Sequence, residues 1–257
     1  DYPKNYNALW RKYYIKLINL GLRGNTSVIT TSKYSKRKLE RSFSKKTPSI
    51  IVIFQSFLKS KMDDDIILKT LSLIDSDYLL HVGSFDKRKD LITLVKAFKL
   101  LKEDAKNKHL KLVLAGKKIL NGNAEVLNEL ERYILKNNLS KSVLMTGYLS
   151  NAEISSLYKK ALIYVFPSIE EGFGIPILEA FAMKIPVVTS NAGAMLEVAD
   201  GAAEHYNAGD YIELFNTLTK LIISKPERTY LIEKGSKRLK DFSREKFIDD
   251  YEQLILK

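Results

Sequence analysis

The sequence predicts an α/β protein, a parallel sheet flanked by helices. Short apolar, β-branched runs alternate with longer segments of helical period, the pattern of strands connected by crossover helices. Several of the runs end in Gly, Ser or Thr. The chain has 257 residues, 45% hydrophobic and 28% charged, which leaves room for a sizeable core in one large domain or two small ones.

The elements follow in order. Trp10, Tyr13 and Tyr14 recur at helical spacing and predict a helix over 7–21. A β-branched run predicts a strand at 28–31, a basic helix follows at 33–43, and a second strand is expected at 50–54. Asp63-Asp64-Asp65 stands before Ile66-Ile67-Leu68 as a helix start, so a helix is expected over 63–74. Strands at 78–82, 111–115, 143–146, 162–166 and 187–190 then alternate with helices at 90–105, 123–137, 151–160, 176–184 and 210–223. Asp90, Asn151 and Asp210 precede three of these helices and can accept a free amide, while Pro176 suits a first helical turn. Residues 227–256 read as two more helices separated near Phe242-Ser243.

Charge is unevenly distributed. The formal net charge of +12 lies in residues 1–61, which hold 14 Lys and Arg against Asp1 and Glu40; the remaining 28 bases and 28 acids cancel. Lys33, Lys36, Arg37, Lys38, Arg41, Lys45 and Lys46 cluster there, a patch that attracts anionic headgroups, nucleic acid or phosphorylated ligands, or else a solvated helix face. No RNA-binding signature accompanies it, and the aromatics Tyr2, Tyr6, Trp10, Tyr13 and Tyr14 read as core or interface. An anionic membrane or a lipid-linked acceptor is the preferred partner of residues 1–61, and nucleic acid is not expected. With no Cys, thiolate metal sites, disulfides and thiol nucleophiles are excluded. His81, His109 and His205 show no ligand spacing, and His81, within a strand, reads as structural. No run approaches the ~20 apolar residues of a membrane span. The chain opens Asp1-Tyr2-Pro3-Lys4 with neither an initiator Met nor an apolar leader, so a fragment or processed form is expected.

In open parallel sheets ligands bind beyond the carboxyl ends of strands. After the strand ending at Val82 comes Gly83-Ser84-Phe85-Asp86-Lys87-Arg88-Lys89-Asp90, a turn whose cations suit a phosphate at a helix start or are simply solvated. After the strand ending at Phe166 comes a Gly-rich turn with Glu171, and Glu179 eight residues on. Two carboxylates at that spacing can reach separate hydroxyl-bearing parts of one ligand. The bland alternative, a helix-dipole acid and a surface acid, sits poorly with the apolar surround of Ile175, Ile177, Leu178 and Phe181. Gly147-Tyr148-Leu149 and Gly116-Lys117-Lys118 are two further strand ends able to present backbone or a ring.

The runs G-S-F-D-K-R-K-D, L-V-L-A-G-K, T-G-Y-L-S, P-S-I-E-E-G-F-G-I-P-I-L-E-A and I-P-V-V-T-S-N-A-G-A-M-L-E-V-A, in that order, resemble the C-terminal domain of glycosyltransferase family 4, also called glycosyl transferases group 1. The resemblance covers about 79–210. It implies a Rossmann-like sheet forming the C-terminal half of a GT-B fold, and a retaining enzyme that uses a nucleotide-diphosphate sugar without metal or other cofactor. It implies catalytic roles for Glu171, Lys89 and Arg88, the two cations neutralising the diphosphate. It gives donor contacts to Gly83, Ser84, Gly172, Phe173, Gly174 and Ile175, a ribose contact to Glu179, and the base to Gly147, Tyr148 and Leu149. Where the family often has an Arg after the first Gly of the phosphate motif, this chain has Ser84.

On that resemblance, residues 1–48 are a basic remnant of an N-terminal acceptor domain, 49–77 a linker, 78–240 the nucleotide-sugar domain and 241–257 a C-terminal helix crossing back. The chain is then the donor-binding half of a hexosyltransferase acting on a cell-surface polysaccharide or lipid-linked acceptor, with a partner supplying the acceptor half. Its place is cytoplasmic, peripheral at the inner face of the membrane. A non-catalytic nucleotide-sugar-binding subunit shares every donor residue and stays open at this point. A dehydrogenase-type domain lacks its G-x-G-x-x-G here.

Overall fold

A computed structural model of the chain describes residues 8–21, 27–42, 49–57, 66–116 and 124–256. They fall into two compact units, Asp1–Phe54 and Gln55–Lys257. In the first, β1 (Ser27–Thr30) and β2 (Ser49–Val52) pair in parallel, Val28 opposite Ile50, with α2 (Lys33–Ser42) as the crossover between them. Ile53 N extends the pairing by donating to Thr30 O at 2.9 Å. The first helix, α1 (Ala8–Gly21), carries aromatics expected in a core or an interface; Trp10, Tyr13 and Tyr14 are all more than half exposed, so they are not core.

The second unit contains α3 (Ile66–Thr70), β3 (Tyr78–Val82), α4 (Leu91–Leu101), β4 (Lys111–Ala115), α5 (Ala124–Lys136), β5 (Val143–Gly147) and α6 (Asn151–Lys160). It continues with β6 (Ile163–Phe166), α7 (Ile175–Ala182), β7 (Val187–Ser190), α8 (Met195–Ala199), β8 (Glu204–Tyr206), α9 (Tyr211–Ile223), α10 (Lys225–Arg238) and α11 (Arg244–Ile255). The strands order β5-β4-β3-β6-β7-β8, every pair parallel, with Leu80 of β3 opposite both Val113 of β4 and Tyr164 of β6. This is the doubly wound order, and its direction reverses between β3 and β6. The central strands β3, β6 and β7 are buried along their whole length, as strands covered on both faces must be, which is why they read as mostly apolar runs without in-out alternation, His81, Thr189 and Ser190 being buried with the rest. On one face α4 packs against α5 and α9, closing a core that includes Leu79, Phe98, Leu112, Leu130, Val165, Leu214 and Leu218. On the other, α10 packs on α7, and Gly235 leaves room for the ring of Phe181, which a Cβ would meet at 2.5 Å.

Some expectations shift. The 49–77 segment read as a linker holds β2 and α3, and Leu68 and Leu73 within it are fully buried, so apolar burial outweighs its polar composition. Asp63-Asp64-Asp65 lies outside the described residues, as do Lys45, Lys46, Lys117, Lys118, Tyr2 and Tyr6. The cap of α6 is Ser150 rather than Asn151: its hydroxyl accepts from Glu153 N while the Glu153 carboxylate accepts from Ser150 N, a full capping box. Asp210 caps α9 as expected, accepting from the amides of Ile212 and Glu213, and Asp90, at φ 44°, turns its carboxylate to the amide and hydroxyl of Thr93 in the first turn of α4. Helix α11 buries none of its residues, and Ile255 is 76% exposed.

Candidate active site at the sheet switch point

The reversal of strand order brings the loop after β3 against the loop after β6. A backbone bond from Ile169 N to Arg88 O, 2.7 Å, ties them together. After Val82 the chain passes Gly83, Ser84 and Phe85 to Asp86, which caps a single 3-10 turn, Lys87–Lys89. The Asp86 carboxylate accepts from Ser84 Oγ at 2.7 Å, Arg88 N at 2.9 Å and Arg88 Nη2 at 3.3 Å. Ser84 and Arg88 therefore brace the turn, while Lys89 points the other way.

Lys89 is 8% exposed, and its Nζ donates to Glu171 Oε1 at 2.6 Å across the switch point, 4.7 Å from the centre of the Phe166 ring. Beneath it lies His81, fully buried and stacked beside Phe166, with Nδ1 3.1 Å from Val165 O and Nε2 unbonded. Desolvation, helped by the positive charge of Lys89, lowers the His81 pKa from 6.5 to about 3. The ring is therefore neutral at physiological pH, with Nδ1 as donor to the carbonyl, and it brings no second positive charge to Lys89.

Glu171 is held by its own backbone as well. Ala194 N donates to Glu171 O at 3.1 Å, and Gly193 (φ 62°) approaches so closely that a Cβ would stand 2.7 Å from Glu171 N. Gly172 is exposed, and Phe173 turns inward and packs edge-on against Phe242, ring centres 5.7 Å apart. Gly174, at φ 113°, takes a backbone region that side chains disfavour and starts α7, with Ile175 and Pro176 in the first turn.

Glu179 lies one turn further along α7. Its Oε2 accepts from Tyr158 Oη at 3.0 Å, and burial pushes its pKa above the usual carboxylate range against that hydrogen bond. It walls a cavity of about 170 Å³ with Val82 at the end of β3, Asn151, Ile154, Ser155 and Tyr158 of α6, Met183, and Phe57. Gly147 ends β5 with φ 76°, Tyr148 is 79% exposed, and Leu149 is partly buried; all three stand in the turn that leads into α6. The structure thus places Gly83, Lys89 and Glu171 together at the switch point, and Glu179 at the neighbouring cavity. Sequence reasoning missed Phe57, Tyr158 and Phe166, whose side chains read as linker or core. Among the described residues no group of three or more His, Asp or Glu is arranged to hold a metal ion, and no helix is long and apolar enough to cross a membrane.

An ammonium and a carboxylate paired at a sheet switch point, beside a cavity walled by a second carboxylate, form an arrangement able to exchange partners with an anionic, hydroxyl-bearing ligand. Comparisons with known proteins bear on the family and the fold. The chain is 28% identical over 209 residues to the O-antigen chain mannosyltransferase RfbU of Salmonella typhimurium, covering 81% of this chain and 54% of that protein. It is 26% identical over 196 residues to O-antigen chain mannosyltransferase B of Escherichia coli, covering 74% and 50%. The chain spans about half the length of these curated relatives. Sucrose-phosphate synthase of Thermosynechococcus elongatus superposes with a TM-score of 0.81 at 22% identity, over 99% of this chain and 63% of that one. Anabaena HepE in complex with UDP-glucose superposes at 0.79 and 20% identity, over 93% and 66%. These likenesses show the fold, an α/β architecture of the GT-B kind. The family model described as glycosyl transferases group 1 matches residues 63–238, which hold both site loops and the whole six-stranded sheet, and the chain belongs to that family.

Proposed function

We propose that the chain is the donor-binding part of a retaining hexosyltransferase of glycosyltransferase family 4. It takes a hexose from a nucleotide-diphosphate sugar for transfer to a polysaccharide or lipid-linked acceptor. The observation that carries this reading is the Lys89–Glu171 pair, 2.6 Å apart and mostly shielded from water at the switch point. A diphosphate arriving there competes with Glu171 for Lys89, and the released carboxylate turns to the hydroxyls of the donor sugar. As the sugar–phosphate bond breaks, negative charge grows on the leaving diphosphate, and a lysine already desolvated and oriented stabilises it most in the transition state. In this reading Arg88 adds positive charge from the Asp86-braced turn, and the Gly83-Ser84 turn and the backbone around Phe173 and Gly174 meet the phosphates and sugar. The leaving phosphate deprotonates the acceptor on the same face of an oxocarbenium-like sugar, so the reaction needs no metal.

Glu179 accepts from the ribose in the cavity it walls, and Gly147, Tyr148 and Leu149 line the base. The relatives are named mannosyltransferases, which favours mannose among the hexoses. HepE, a structural neighbour, is complexed with UDP-glucose, which supports a nucleotide sugar in general. The basic residues 1–61 serve an anionic membrane surface or a lipid-linked acceptor at the cytoplasmic face, and an acceptor-binding half completes the cleft, with α11 crossing toward it.

Calorimetric titration with GDP-mannose, UDP-glucose and ADP-glucose tests the reading. Binding of one nucleotide class in the micromolar to millimolar range, lost in Lys89→Ala and Glu179→Ala, is expected. A folded chain that binds none of them overturns it.

A further inference from the structure

A carboxylate that binds a ribose hydroxyl works best when one oxygen is anchored and the other is left to the ligand, because a rotating side chain loses its freedom on binding. Glu179 has such an anchor. Tyr158 of α6 is 1% exposed, and its hydroxyl donates to Glu179 Oε2 at 3.0 Å. The phenol is held in turn: its ring leans on that of Tyr164, centres 5.2 Å apart, and the Tyr164 hydroxyl donates to Val82 O at 3.3 Å, at the end of β3. The other acceptors near the Tyr158 hydroxyl among the described residues are Pro176 O, at 3.5 Å, and the hydroxyl of Tyr164; the bond to Glu179 is the one to a carboxylate. Tyr158, Val82 and Glu179 all line the same cavity.

The geometry points to Tyr158 as a positioning residue that fixes the Glu179 carboxylate, leaving its Oε1 for a ribose hydroxyl in the cavity. This rests on the reading of Glu179 given above. Electrostatics agree with the geometry: burial pushes the Glu179 pKa up, and the Tyr158 hydrogen bond pulls it back toward the charged form that a sugar hydroxyl needs. The titratable groups that act on Glu179 are Tyr158 from α6 and Tyr164 from β6, both held neutral by burial.

The test titrates wild type, Tyr158→Phe and Glu179→Ala with UDP and GDP, and with the 2′,3′-dideoxy counterpart of each, between pH 5 and pH 8. Wild type is expected to prefer the ribonucleotide, and Glu179→Ala to lose that preference. Tyr158→Phe is expected to lose about tenfold in ribonucleotide affinity, the usual scale for one hydrogen bond to a charged group, with dideoxynucleotide affinity unchanged. Its low-pH loss of ribonucleotide binding also moves to higher pH, because the bond favouring ionised Glu179 is gone. Wild-type preference and pH profile retained in Tyr158→Phe overturn the proposal while sparing the role of Glu179. Equal losses for ribo- and dideoxynucleotides overturn it too, since that is what a packing defect does. No ribose preference in wild type removes the role of Glu179 and the proposal with it. If Tyr158→Phe does not fold, the nucleotide-bound wild type decides. A Tyr158 hydroxyl proton coupled to the Glu179 carboxyl carbon in its NMR spectrum supports the proposal, and absence of that coupling, with the proton given to the Pro176 carbonyl or the Tyr164 hydroxyl instead, overturns it.

Discussion

Lys89 and Glu171 satisfy each other in the free protein, so each ligand contact made by one must be weighed against the bond it gives up. Glu171→Gln removes the charge that competes for Lys89. A nucleoside diphosphate without its sugar is expected to bind this variant several-fold tighter than wild type by calorimetry, while hexose transfer, measured with the acceptor-binding half present, falls. Unchanged affinity would show that the pair does not gate the phosphate. His81 acts differently, on stability. With its native pKa near 3 against 6.5 in the unfolded chain, the unfolded state takes up the proton first as the pH falls. Stability attached to His81 is whole above pH 6.5 and declines by about 1.4 kcal/mol per pH unit below it. Urea unfolding at pH 7, 6 and 5 should therefore show a shallower acid decline in His81→Gln than in wild type, even if the variant starts from a lower value.

At the level of elements, the site depends on how helices begin. The capping box at Ser150 fixes the start of α6, which carries Asn151, Ser155 and Tyr158 to the cavity. Ser150→Ala should cost about 1 kcal/mol in thermal unfolding and weaken nucleotide binding more than a cap replaced elsewhere, such as Asp210→Ala in α9. Gly193→Ala is the stronger perturbation: its φ of 62° disfavours a side chain, and the new methyl strikes the Glu171 backbone, so donor binding should fall well before the fold fails. The strands and long helices were legible because the sheet is buried on both faces and the crossovers are amphipathic over several turns. The five-residue α8 and the three-residue β8 were not, since periodicity needs more residues than either has, and Glu204-His205-Tyr206 is too polar to announce a strand. Glycines and charges at strand ends could be read as a site because parallel sheets put function there. That Lys89 would meet Glu171 and Tyr158 would meet Glu179 depended on packing between separate elements, whereas Arg88 is taken by Asp86, two residues away in its own turn.

On the scale of the molecule, the division at Phe54 and Gln55 leaves the six-stranded sheet and both site loops in one unit. Residues 55–257 alone are expected to unfold cooperatively by calorimetry and to keep the nucleotide affinity of the full chain; a fragment that does not fold would mean that β1 and β2 are needed for the larger unit. The strand order also has a history in time. β3 is central, yet its neighbour β6 is made some eighty residues after it, so a growing chain on the ribosome carries β3 and β4 with one side of β3 open. Lys89 waits for Glu171 through all of that synthesis. The pocket is thus a late product of folding, and cells that slow translation between residues 116 and 163 would lengthen the life of a sticky, siteless intermediate rather than of a partly active enzyme.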